Sequence, residues 1–82
     1  MTTLFSTGQE IDFILEGPNS NIVAVEVKAA SRATDKDFRH IIALRDALGA
    51  QFHCGFVVYQ GHDIVPFGKD LFAIPMQSLW QR

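Results

Sequence analysis

The chain is poor in the features that most often announce a function. Cys54 is its only cysteine, which excludes an internal disulfide and a zinc site built from thiolates. No apolar run approaches the roughly 20 residues a membrane helix needs, and the first residues have neither the basic region nor the apolar stretch of a signal peptide. The cytoplasm is therefore the expected location. A G-x-x-x-x-G-K-[ST] phosphate loop is absent, so ATP hydrolysis by this polypeptide alone is not expected. Ser6, Ser31 and Ser78 lie in no nucleophile motif, which leaves acyl transfer unsupported. His40, His53 and His62 have no spacing that would make a shared metal site, and read as surface or partly buried imidazoles. There is no repeat, linker or low-complexity tract. Net charge is −2, which argues against broad attraction to nucleic acid.

With 82 residues, the chain can bury only about 60% of its unfolded surface, enough for one modest core. A single domain over 1–82 is the expectation. Within it, Glu10 to Leu15 alternates, with Ile11, Phe13 and Leu15 on one face and Glu10, Asp12 and Ile14 on the other. Ile22 to Lys28 alternates likewise, Val23, Val25 and Val27 against Ala24, Glu26 and Lys28. Gly17-Pro18-Asn19-Ser20-Asn21 between them is rich in turn formers and should close an antiparallel hairpin. Pairing Glu16 with Ile22 sets Asp12 opposite Glu26 and Glu10 opposite Lys28. Charged groups on strands that otherwise read as core are the most informative feature of the chain.

Carboxylates facing one another across a sheet repel, a cost that a cation or a proton can offset. Magnesium takes oxygen ligands and keeps several waters, so Asp12 and Glu26, with Glu10 as a third candidate, suit an open Mg²⁺ or Mn²⁺ site completed by a phosphate oxygen. The Lys28 ammonium could orient or deprotonate the attacking water, or neutralise charge developing on a phosphate. The bland alternative is a structural Glu26–Lys28 ion pair at a strand end, with Asp12 accepting backbone hydrogen bonds in a loop.

Thr34 and Asp37 can cap a helix over Asp35 to Leu48, with Gly49 as its stop. Phe38, Ile41, Ile42, Leu44 and Leu48 form its apolar stripe, leaving Lys36, Arg39, His40 and Asp46 outward. Phe52 to Tyr59 is apolar enough for a central strand. Short strands follow at Asp63 to Val65 and Leu71 to Ile74, and Pro75 can start a helical turn carrying Leu79 and Trp80. Strand, helix, strand implies a crossover with Ile22–Lys28 and Phe52–Tyr59 parallel. The fold class is α/β, a mixed sheet with one long crossover helix. Five of the seven Lys and Arg residues, Lys28, Arg32, Lys36, Arg39 and Arg45, lie between the Glu26 strand and the helix end. They form either a phosphate-binding stripe or a solvated helix surface.

An acid on one strand, a tight turn, then Glu-x-Lys on the next strand and a helix resembles the core motif of the PD-(D/E)XK nuclease superfamily, with Asp12, Glu26 and Lys28 at the matching positions. More narrowly, Gly8 to Glu16, Val23 to Ala29, Asp37-Phe38-Arg39, Ala43-Leu44-Arg45 and Val65 to Gly68 resemble the nuclease-like C-terminal domain of unknown function carried by prokaryotic AAA+ ATPases. The resemblance runs from about Thr7 to Trp80. It implies a metal-dependent endonuclease-like domain in which Asp12 and Glu26 hold Mg²⁺ or Mn²⁺, Lys28 assists the water, and Arg32, Lys36 and Arg39 touch the nucleic-acid backbone. The superfamily core opens with a helix that Met1 to Ser6 cannot supply. The expectation is therefore a truncated restriction-endonuclease-like core, the C-terminal fragment of a larger ATPase-type protein, with activity weakened or lost by truncation. A non-catalytic module for dimerisation or for docking to the ATPase is the second expectation. A sheet with one bare face also predicts a homodimer, by exchange of the N-terminal strand or by packing of the bare faces.

Overall fold

The computed structural model describes residues 3–6 and 10–79. Among the described residues, a six-stranded mixed sheet carries one α-helix. The strands are β1 (Thr3–Ser6), β2 (Phe13–Glu16), β3 (Ile22–Val27), β4 (Phe52–Tyr59), β5 (Val65–Pro66) and β6 (Leu71–Pro75), in the spatial order β1-β2-β3-β4-β6-β5. β1, β2 and β3 pair antiparallel, β3–β4 and β4–β6 are parallel, and β5 returns antiparallel on β6. The helix α1 (Arg39–Leu48) follows a 3₁₀ turn at Asp35–Phe38 and forms the crossover between the parallel neighbours β3 and β4.

The hairpin register is the one alternation and loop length require: Glu16 pairs with Ile22 and Phe13 with Val25. In the loop, Asn19 and Ser20 take left-handed conformations (φ 65° and 60°), and the Gly17 amide donates to the Asn21 carbonyl at 2.9 Å. That tight closure leaves no freedom for a one-residue slip, which would turn every side chain of the strand to the opposite face.

Four elements differ from expectation. A strand at Thr3–Ser6 extends the sheet beyond β2; four residues without distinctive alternation gave no local signal, and their conformation comes from pairing along β2. The β2 strand starts at Phe13, because Glu10 and Ile11 form a bend and Ile11 packs against the buried core. The expected helix over 35–48 is wound as 3₁₀ in its first four residues, a common form of helix start. Its end is as expected, with Gly49 at φ 59° donating its amide to the Arg45 carbonyl. The short strand before Phe67 is shifted to Val65–Pro66, and a 3₁₀ turn, Met76–Leu79, follows β6. Trp80 lies outside the described residues, as do Thr7, Gly8 and Gln9.

The core lies between α1 and one face of the sheet. Phe38 and Ile41 are fully buried against Ala24 of β3, Val57 and Tyr59 of β4, and Leu71 and Ala73 of β6. The helix approaches β4 so closely that a methyl group at Gly55 would collide with Ile41 Cγ2. Burying side chains the size of Phe38 and Ile41 contributes roughly 1.5–3 kcal/mol each. The periodicity that buries Phe38 and Ile41 also fixes where Asp37 and His40, the residue before each, must lie.

Candidate functional site

β3 carries Ala24 and Glu26 on the helix-covered face, and Lys28 follows directly after its end. Ala24 pairs with Gly55 and Glu26 with Val57 of β4, both buried beneath α1. The Lys28 amide continues the parallel ladder by donating to the Val58 carbonyl at 2.8 Å, so its side chain keeps the face of Glu26. These residues sit where the parallel strands β3 and β4 end and the helical segment begins. In open α/β sheets, ligands bind outside the carboxyl ends of the strands.

Asp12 directly precedes β2, and continuing the pairing from Phe13 and Val25 places it across from Glu26. Its Oδ2 accepts the Val27 amide at 2.7 Å, so one carboxylate oxygen closes the hairpin end where the backbone ladder stops. Glu26 has a raised pKa. Burial is the largest cause, and the Asp12 and Asp37 carboxylates push the same way against the positive fields of His40 and Arg39. Its Oε1 is sealed from solvent and has no hydrogen-bond partner. A buried carboxylate oxygen without a donor calls for a proton or a cation.

Lys28 does not pair with Glu26. Its Nζ donates to both oxygens of Asp37, at 2.6 and 2.7 Å, with the two side chains 32% and 15% exposed. The Asp37 Oδ2 also accepts the Thr34 amide at 2.7 Å. Burial acts to raise the Asp37 pKa, but the Lys28 and Thr34 hydrogen bonds outweigh it, and the net shift is downward. Asp37 thus serves as helix cap and as ion-pair partner at once. Sequence reasoning assigned it only the first role, because a capping box accounts for an acid at that position without further demand.

His40 is the second residue that sequence reasoning left out of the site. It is half-buried rather than turned outward, and its charge acts on Glu26. The signal available was its spacing of three residues from Asp37, which puts both on one side of the helical segment. His53 and His62 are exposed.

Arg32 and Lys36 are exposed on the segment between β3 and α1, and Arg39 is exposed at the start of α1, where it contributes to the field at Glu26. Arg45 belongs elsewhere. Its guanidinium bonds the Lys69 carbonyl at 3.1 Å and the Asp46 carboxylate at 3.4 Å. There it lines a cleft of about 550 Å³ with Gly49, Phe52, Lys69 and Asp70, at the amino ends of β4 and β6. That cleft mixes both charge signs and shares no lining residue with the Asp12–Glu26 pair.

Glu10 is exposed in the bend before β2, outside the ladder that would have set it opposite Lys28. Among the described residues, no group of three or more His, Cys, Asp or Glu side chains is placed to hold a metal ion. Two carboxylates, one oxygen of which lacks any partner, fit a hard cation that keeps most of its waters. They do not make a closed cage.

A family model described as Domain of unknown function (DUF4143) matches residues 5–79. The chain belongs to the DUF4143 family. DUF4143 domains are commonly associated with AAA ATPases. The match spans every site residue described above. No curated protein and no solved structure matches the chain. Among the described residues, no helix is long and apolar enough to cross a membrane.

Proposed function

We propose that this DUF4143 domain is a metal-dependent nuclease-like domain, of the PD-(D/E)XK kind, acting on the phosphodiester backbone of nucleic acid. The observation that carries this reading is the Glu26 Oε1: buried, without a donor, and beside a second carboxylate in hairpin register. Asp12 and Glu26 would hold Mg²⁺ or Mn²⁺. The ion, when bound, supplies Lewis-acid polarisation of the phosphodiester. Lys28, on the same face two residues on, places an ammonium where charge develops on a phosphate oxygen. Arg32, Lys36 and Arg39 offer exposed cations on the adjoining segment to bind backbone phosphates. Helix α1 shields one side of the pair from water and strengthens each of these interactions.

The deciding experiment is calorimetric titration of Mn²⁺ and Mg²⁺ into the protein and its Asp12→Asn and Glu26→Gln variants, followed by a cleavage screen with single-stranded and branched DNA and with RNA. Binding that either substitution weakens at least tenfold, a loss of about 1.4 kcal/mol or more, supports the reading. Binding that survives both substitutions, or a folded wild-type protein that binds neither ion, rejects it.

A second reading is favoured by the opposite sheet face. Phe13, Leu15, Val23, Val25, Val27, Phe56, Val58, Phe72 and Ile74 follow one another across four strands there without a charge, and Val27 is 43% exposed. A face of that kind suits a non-catalytic docking module, with an ATPase module as the occupant given the company this family keeps. A second copy of the chain, giving a homodimer, is the other outcome that mass measurement in solution would separate.

A further inference from the structure

We infer that Asp37 is a positioning residue that holds the Lys28 ammonium off Glu26, so that the Asp12–Glu26 pair stays open to a cation. The inference rests on the metal-site reading of that pair. Lys28 and Glu26 are two residues apart on one strand and share a face, a separation of about 6.6 Å along the strand. A four-carbon stem spans that easily, and an ammonium beside a half-buried carboxylate is the cheapest way to neutralise it. The protein does otherwise. Both Asp37 oxygens take the Lys28 Nζ, while Glu26 Oε1 keeps no partner.

Asp37 is suited to the task because it is itself fixed. The Thr34 amide holds its Oδ2, and the next residue, Phe38, is fully buried, which anchors the 3₁₀ turn on the core. A carboxylate held by a cap on one side and a buried aromatic on the other presents its oxygens in one place. It therefore holds the Lys28 ammonium through both of its oxygens. Without the Asp37 charge, Lys28 swings onto Glu26 and occupies the position that a cation would take.

The bland alternative is that the pair merely ties the end of β3 to the start of the helical segment. Three chains separate the two: wild type, Asp37→Asn, and Lys28→Met/Asp37→Asn. The amide in Asp37→Asn still accepts the Thr34 N–H, so the cap persists while the charge is lost. Titrated with Mn²⁺, Asp37→Asn should bind about tenfold more weakly, the worth of a charged hydrogen bond that must first be broken. The double variant, with no ammonium to intrude, should return to within about twofold of wild type. In the metal-free proteins, NMR should show Lys28 Hε to Glu26 Hγ cross-peaks in Asp37→Asn that wild type lacks. Unchanged Mn²⁺ affinity in Asp37→Asn, failure of the double variant to recover, or absence of those cross-peaks would each overturn the inference. A wild-type protein that binds no Mn²⁺ defeats the metal-site reading and with it the purpose assigned to Asp37, whereas missing cross-peaks beside intact metal binding defeat the positioning role alone.

Discussion

The two faces of the sheet come from the same strands and are built on opposite terms. One is covered by α1 and packs Ala24, Val57, Leu71 and Ala73 beneath Phe38 and Ile41. It carries all the charged strand residues of the candidate site at its rim. The other has the larger side chains, including the Phe56–Phe72 contact with ring centroids 6.1 Å apart, yet no described helix lies on it. Small residues line the covered face because a helix must come close to the sheet, and Gly55 is the extreme case. Polar groups tolerate the rim of that face because the helical segment supplies counter-charges: Asp37 for Lys28, and the fields of His40 and Arg39 for Glu26. Among the described residues, the apolar face offers no such partners and carries no charge.

The covered face is therefore where single substitutions should cost most. Ile41→Ala should lower unfolding free energy by about 3 kcal/mol in denaturant titration, whereas Val25→Ala on the other face should cost less than half as much. Equal losses would mean that the second face is also covered in solution.

At the rim, Lys28→Met should cost about 1 kcal/mol, since a partly exposed ion pair is still screened by solvent and salt. Its pH dependence is diagnostic. The Asp37 pKa lies below its ordinary value, so the folded state holds fewer protons and the pair stabilises fully above the ordinary carboxylate range. That contribution is lost as pH falls through the depressed value. Wild-type and Lys28→Met melting temperatures should therefore converge in acid.

Glu26 should behave in the opposite sense. Its pKa is raised chiefly by burial, so the folded state favours the protonated form and loses stability as pH rises through that raised value. In the absence of metal, Glu26→Gln should melt slightly above wild type at pH 7, and the difference should vanish below the ordinary carboxylate range. A Glu26→Gln protein less stable than wild type at pH 7 would show that the ionised carboxylate has a stabilising partner.

The smallest effect belongs to the apolar face itself. Val27→Lys, at a position already 43% exposed, should change stability by no more than about 0.5 kcal/mol. A larger loss, or a change in solution mass from dimer to monomer, would place a partner on that face.

Much of this was legible in residue order. Alternation in Ile22–Lys28 and the turn-rich loop before it fixed the Glu16–Ile22 register, and with it the approach of Asp12 to Glu26. The apolar run Phe52–Tyr59 marked the central strand, and Thr34 and Gly49 bounded the helical segment. Each of these is a local pattern, set by side-chain period and by turn chemistry. The missed features all depend on partners distant in sequence. β1 exists through pairing with β2, Ile11 leaves the strand to join a core assembled by α1, and Lys28 finds Asp37 nine residues on.

By itself, the sequence determined that Asp12, Glu26 and Lys28 would converge at one end of a hairpin, because strand periodicity and a closed loop leave a single register. Only the tertiary structure decided how their charges are shared. Packing Phe38 and Ile41 onto the sheet brings Asp37 and His40 over the strand ends, and that placement takes Lys28 from Glu26 and leaves the Glu26 Oε1 buried without a partner.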